Sequence, residues 1–239
     1  MRCYNYSAKI TDKIKHSDMK TIARIGQQAP ELQLETWLQS EVGNIGNHLG
    51  KVILIEVFQV NCTGCFVHAL PEAIRLHNLF AQDDFIVLGI ATAFENFDIN
   101  TEGNLKRLIE TGEVVGEPLK QLANTDYVND NKLDYILPFP IAMDKLVKNK
   151  DEITEEKILA FIESQISDYR DWPEDKRTPI NQQALKYLKS KTHNALTFET
   201  YQLQGTPSSI LIDKNGILRD ISFGIQNHLE ALIRELISE

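Results

Sequence analysis

No stretch of the sequence approaches the roughly 20 consecutive apolar residues that a membrane-spanning helix needs, which excludes a helical span. Cysteine is scarce: Cys3, Cys62 and Cys65 are the only three. That small and odd number excludes a disulfide-built scaffold. Positive charge is in deficit, with 25 Lys and Arg against 34 Asp and Glu and a net charge of -9. Such a surface repels phosphate, gives nucleic acid no footprint and has no attraction for anionic lipid. Internal repeats and low-complexity segments are absent as well. The first 24 residues are locally basic, with Arg2, Lys9, Lys13, Lys15, Lys20 and Arg24. No apolar run follows them, as a secretory signal would require. The expectation is a cytoplasmic protein with neither nucleic acid nor membrane as partner.

What is present is ordinary for a folded chain: 239 residues, 42% hydrophobic and 25% charged. That length can bury a self-sufficient core. The expected organisation is an N-terminal tail over residues 1–24 and one α/β domain over residues 25–239. The segment "IGQQAPELQLETWLQSEVGNIGNHLG" carries a short alternation suited to an edge strand or hairpin. "KVILIEVF" is a β-branched run of the kind buried on both faces of a sheet. From Cys62 to about Ala81 the apolar residues fall at helical spacing, with Pro71 expected to kink the helix by removing a hydrogen bond and crowding the Val67 carbonyl. "DFIVLGIATAF" reads as a second buried strand, so strand, helix and strand imply a parallel crossover.

Further on, "NLKRLIETG" reads as a short helix, the Asn- and Asp-rich stretch after it as a loop, and "FPIAMD" as a strand. Residues 145–193 read as entirely helical. Thr154 is placed to cap a first helix lined by Ile158, Ile162, Ile166 and Tyr169, and a second helix starts at "NQQALKYLKSK" after the two prolines of "DWPEDKRTP". This insertion, at about residues 145–195, must bury its apolar stripes on the domain or on a partner subunit, so a cap over the site or a homodimer surface is expected, with a purely structural packing role as an equal alternative. "GTPSSILIDKNGILRDISFG" reads as two strands around an Asn-Gly turn. Leu229, Leu232, Ile233 and Leu236 mark one face of a final helix.

The chemistry concentrates in "IEVFQVNCTGCFVHALPEA". A thiol at the start of a helix faces unpaired backbone N–H groups and the positive end of the helix dipole, both of which stabilise thiolate. Cys62 has that place and is expected to attack. Cys65, one turn further in, is shielded and close enough to resolve a mixed disulfide formed at Cys62. Two thiolates with His68 would also give zinc three ligands, so a metal-binding module is a competing reading, although His48, His77 and His193 offer no obvious fourth. For His68 an exposed surface role stands beside a redox or metal role. Glu56 lies six residues before Cys62 in a strand that otherwise reads as buried. An unpaired carboxylate there is costly, so Glu56 is expected to hold its proton near neutral pH and to exchange it with Cys65. The alternative is an outward-facing Glu56 paired with a lysine such as Lys51.

Four segments carry a resemblance to the thioredoxin fold, specifically to the redoxin (AhpC/TSA) branch with the TlpA and ResA type thiol-disulfide oxidoreductases. "IGQQAPELQL" is similar to that family's G-x-x-A-P-x-F-x-L opening, and "GKVILIEVFQVNCTGC" to its strand and C-x-x-C segment. "FPIAMD" resembles F-P-V-x-x-D, and "YQLQGTPSSILIDKNGIL" resembles the Y-x-V-x-G-T-P segment with its following strand. The resemblance implies a central mixed sheet flanked by helices, with the helical insertion placed before a cis-proline strand. It implies a cis bond at Pro207, with Thr206 presenting backbone groups to a substrate segment, where the residues alone leave an ordinary trans proline open. It places Glu56 where thioredoxin has a buried aspartate.

By the same resemblance Asn61, Thr63 and Gly64 border the substrate. Asn61 replaces the family's usual Trp, and Thr63 with Gly64 replaces a proline-containing pair. The segment is also similar to bacterial redoxins with F-Q-x-x-C-x-G-C-x-x-H-x-L-P, which implies an accessory part for His68. The activity implied is disulfide exchange with a protein or small-molecule disulfide or dithiol, with no cofactor beyond the cysteine pair. A peroxiredoxin-like peroxidase is the weaker alternative, because Gln59 and Ile55 stand where those enzymes carry a Thr or Ser and a Pro.

Overall fold

The computed structural model describes residues 22–164 and 166–239. Cys3 and the basic residues Arg2, Lys9, Lys13, Lys15 and Lys20 lie outside them. Among the described residues no helix is long and apolar enough to cross a membrane.

Strand β1 (Leu34–Gln39) leads, through a 3-10 turn capped by Asn44, into β2 (Val52–Phe58), all seven of whose residues are buried. A helical segment starts at Thr63 and continues as α1 (Leu70–Leu79). Pro71 leaves its mark just before that helix. Its missing N–H breaks the regular ladder, and the chain responds by widening one turn: Cys65–Ala69 is π-helical, with Leu70 N–H donating to the Cys65 carbonyl. The expected kink therefore takes the form of a π-bulge.

Strand β3 (Phe85–Ala91) runs parallel to β2, in register from Val52 opposite Phe85 to Phe58 opposite Ala91. Helix α2 (Glu102–Thr111) ends at Gly112, whose φ of 74° closes it in the left-handed region. The stretch expected to be loop holds a short helix, α3 (Gly116–Leu122), and a hairpin of β4 (Val128–Asn129) and β5 (Lys132–Leu133). Asp130 and Asn131 at its tip both have positive φ, 49° and 63°, as a two-residue hairpin turn requires.

Strand β6 (Ile141–Asp144) is followed by the insertion, and the expectation of an entirely helical segment needs correction. Its stem is a ribbon of β7 (Leu146–Lys148) and β8 (His193–Ala195), with Leu146 opposite Ala195 and Lys148 opposite His193. Three-residue strands are too short to show a period. Helix α4 (Glu155–Glu163) begins at Thr154, whose side chain accepts from Lys157 N–H. Helix α5 (Glu174–Ser190) starts seven residues before the expected "NQQALKYLKSK" and contains Pro179. Pro179 is exposed and near the N-terminal end of α5, where the helix gives up one bond on its wet side and continues.

The apolar stripes of the insertion meet each other. Ile162, Tyr169 and Ala184 form a separate buried cluster with Ile158, Phe161, Ile166 and Ile180 around it, and the Phe161 and Tyr187 rings stack at 5.1 Å. The surface expected to cover them, the domain or a second subunit, is thus supplied largely by the partner helix.

Helix α6 (Leu196–Thr200) returns the chain to β9 (Ser208–Ile212) and β10 (Leu218–Phe223), joined by a turn in which Gly216, but not Asn215, has positive φ. Helix α7 (Leu229–Ser238) closes the fold. The six-stranded sheet has the order β1-β6-β3-β2-β9-β10. Its centre (β2, β3, β6) is parallel, while β1, β9 and β10 run antiparallel to their neighbours. Alternation along β2 sends Val52, Leu54 and Phe58 to one face, against Cys65, Leu70, Leu76 and the α7 residues Ile233 and Leu236. Ile53, Ile55 and Val57 face the other side, with Ile45 and Tyr201. Glu56 falls on the first face, beneath the helix that carries Cys65.

Candidate active site

The two cysteines occupy the handover from the central strand to the helix. Beyond Phe58 the chain turns through Gln59, Val60 and Asn61, with Cys62 N–H donating to the Gln59 carbonyl at 3.2 Å. Cys62 thus stands at the cap position of the helical segment, and a disulfide joins it to Cys65. Cys65 is wholly buried, whereas Cys62 keeps partial exposure. The Cys65 N–H points at Cys62 Sγ, 3.2 Å away. A thiolate at Cys62 would therefore meet a backbone donor as well as the positive end of the helix, and both favour the charged form.

The segment returning from the insertion lies against this sulfur. The Thr206–Pro207 peptide bond is cis, and the Thr206 carbonyl oxygen is 3.5 Å from Cys62 Sγ. Gly64, between the cysteines, faces the proline: a Cβ there would sit 3.9 Å from Pro207 Cδ. The Thr206 hydroxyl donates to Gln59 Oε1 at 3.3 Å. Thr63 and Gly64 are both partly exposed.

Asn61 is engaged elsewhere. Its N–H donates to Asn100 Oδ1 at 3.0 Å, and its own Oδ1 accepts from Glu117 N–H at 2.8 Å. This docks α3 beside the cysteine loop. Gly116, with φ 67°, permits the approach, since a Cβ there would fall 2.1 Å from Asn61 Oδ1.

Glu56 is 2% exposed. One carboxyl oxygen, Oε2, accepts from the Ser209 hydroxyl at 2.8 Å, and the other, Oε1, has no protein partner. Glu56 and Ser209 are directly opposite in the β2–β9 ladder. Burial pushes the Glu56 carboxyl up to about 8, with the Ser209 hydroxyl pulling the other way. The alternative partner, Lys51, does not reach it. Glu56 lines a cavity of about 500 Å³ between α1 and the segment before α7, shared with His68, Arg75, Ser209, Gln226 and Glu230. His68 is exposed and lies on that cavity rather than with the sulfurs. Among the described residues no three His, Cys, Asp or Glu side chains gather as a metal-binding group.

Sequence reasoning missed Ser209 and Gln59. A signal for Ser209 existed: a polar side chain in an otherwise apolar buried strand needs a partner, and Glu56 posed the same need in the neighbouring strand. Gln59 gave no such sign, because its place in a loop after the strand leaves exposure as the default reading.

No protein-family model matches the sequence, and no curated protein does. Among solved structures the chain is similar to a thioredoxin-like superfamily protein, at 27% identity over 89% of this chain and 97% of that one, with a TM-score of 0.54. It is also similar to a thiol-disulfide isomerase from Corynebacterium glutamicum, at 24% identity over 90% and 97% of the two chains, with a TM-score of 0.53. The fold is thioredoxin-like, as the four sequence segments imply.

Proposed function

We propose that this protein is a thiol-disulfide oxidoreductase of the TlpA and ResA type that exchanges disulfides through Cys62 and Cys65, with no cofactor beyond the cysteine pair. The observation that carries this reading is the bonded pair at a helix start with the carbonyl before cis-Pro207 at 3.5 Å from the more exposed sulfur. An extended substrate segment passing Thr206 and Pro207 brings its own sulfur to Cys62, with Thr63 and Gly64 bordering it.

In the reducing direction the Cys62 thiolate attacks one sulfur of a protein or small-molecule disulfide. A new S–S bond forms, and the other substrate sulfur leaves with the electron pair and takes a proton from solvent. Cys65 then gives its proton to Glu56 and attacks Cys62 Sγ, releasing the second substrate sulfur as a thiolate. The proton on Glu56 returns to solvent through the cavity, where His68 has the accessory position. The two electrons pass from the cysteines to the substrate; Cys65 gives up one proton by way of Glu56, the first substrate sulfur takes one from solvent and the second leaves as a thiolate, and the reverse sequence oxidises a dithiol. A carboxyl held to about 8 is partly ionised near neutral pH and can both take and return the proton.

The test is mass analysis of the protein equilibrated in graded glutathione buffers, together with insulin reduction. The expected result is reversible loss of a hydrogen pair between Cys62 and Cys65 and abolition of insulin reduction by Cys62→Ser. Thiols that stay unpaired at every buffer ratio, or insulin reduction that survives Cys62→Ser, would sink the reading.

A further inference from the structure

The turn that follows Cys65 has one more carbonyl than it has donors. In a regular α-helix the Phe66 carbonyl accepts from residue 70, but Leu70 gives its N–H to the Cys65 carbonyl. In the wider π spacing the donor is residue 71, which is proline and has no N–H. Phe66 is wholly buried, and a buried carbonyl is rarely left unpaired. The hydroxyl of Tyr135 takes the vacant role, donating to the Phe66 carbonyl at 2.7 Å. Tyr135 comes from the segment between β5 and β6, and its ring packs against the same core cluster as Cys65 and Phe66. Burial pushes its hydroxyl above the ordinary tyrosine range, so it remains a donor at any working pH.

We propose that Tyr135 is a positioning residue for the resolving thiol: its hydroxyl stands in for the N–H that Pro71 lacks and fixes the widened turn that holds Cys65 under Cys62. The inference rests on the disulfide-exchange reading. The Cys65 carbonyl is held by Leu70 and the next carbonyl by Tyr135. The backbone on the C-terminal side of Cys65 is thus pinned at two successive peptides while its side chain alternates between thiol and disulfide. Cys62 has no such dependence, because its contacts run to Gln59, Cys65 and Thr206.

That asymmetry is what an experiment can read. In a Cys3→Ser background, reduced protein is mixed with one equivalent of the disulfide reagent 5,5′-dithiobis(2-nitrobenzoate). One thionitrobenzoate leaves when Cys62 attacks, and the second leaves when Cys65 displaces it from the mixed disulfide. Tyr135→Phe is expected to leave the first phase unchanged and to slow the second about fivefold, the effect of one lost hydrogen bond. Pro71→Ala restores a backbone donor, so in that background the slowing by Tyr135→Phe should shrink to about twofold or less. Equal second phases with and without Tyr135, equal slowing of both phases, or the same slowing in the presence and absence of Pro71 each overturn the proposal. A parent protein that reacts at Cys62 but shows no second phase overturns the exchange reading, and this inference with it.

Discussion

A carboxyl group sealed into the face of a sheet has to settle its protonation state before it can do anything else, and at Glu56 the settlement ties folded-state stability to pH. In the folded protein Glu56 keeps its proton up to about pH 8, whereas in the unfolded chain it ionises near 4.5. Unfolding between those values therefore releases a proton, and folded-state stability falls as pH rises through that window. The limiting slope is about 1.4 kcal/mol per pH unit. Glu56→Gln removes the titration, so its urea midpoint is expected to stay level from pH 5 to pH 9 where the parent's declines by several kcal/mol equivalent. A parent and variant that decline in parallel would show that Glu56 is not the group responsible. The same substitution should flatten the pH dependence of the Cys65 step. The need for a proton-holding residue was legible in the sequence, because an acid inside "VILIEVF" leaves few alternatives. Its Ser209 partner, 153 residues away, depended on a strand register that no local pattern carries.

Elements whose residues answer to a single dominant force were legible, and elements held by one long-range contact were not. The strands β2, β3 and β9 declare themselves by largely apolar runs, and α7 by its stripe. Helix α3 has only seven residues, too few for a period, and stands where it does because Asn61 accepts from its first turn. The hairpin β4–β5 did carry a local sign in Asp130 and Asn131, both turn residues that tolerate positive φ, but with two-residue strands the flanking alternation was missing. The short α6 depends on Asp144. That buried carboxylate accepts from Thr197 N–H at 2.8 Å, Phe198 N–H at 3.1 Å and the Thr92 hydroxyl at 2.8 Å. "FPIAMD" identified the residue without revealing that it fastens the end of the insertion to the sheet. Asp144→Ala leaves three donors without an acceptor, two of them buried, and a loss of about 3 kcal/mol is expected in chemical denaturation. Asp144→Asn, which retains one acceptor oxygen, should lose less. Equal losses for the two substitutions would mean that packing, not hydrogen bonding, makes the site.

At the scale of the whole molecule the insertion is a self-packed unit on a two-stranded stem, and this construction makes its role separable from the fold. The apolar residues of its helices form their own cluster, Leu146 of the stem packs against the core, and the six-stranded sheet and the two clusters on its faces draw on nothing between residues 150 and 191. Asn149 N–H donates to the Thr192 carbonyl at 2.9 Å, the arrangement that a two-residue hairpin turn closes. Replacing residues 150–191 by Asn-Gly should therefore keep β7 paired with β8, keep α6 anchored on Asp144, and leave a cooperatively unfolding domain. Under the cap expected from the sequence, the removed helices would restrict large partners more than small ones. The shortened protein is expected to reduce 5,5′-dithiobis(2-nitrobenzoate) at the parent's rate, within about twofold for a site built from unshifted groups. Its rates on different protein disulfides should change relative to one another, insulin among them. Unchanged rates on every protein substrate would reduce the insertion to a packing element, and a collapsed rate on the small reagent would show that the cysteine site depends on it directly.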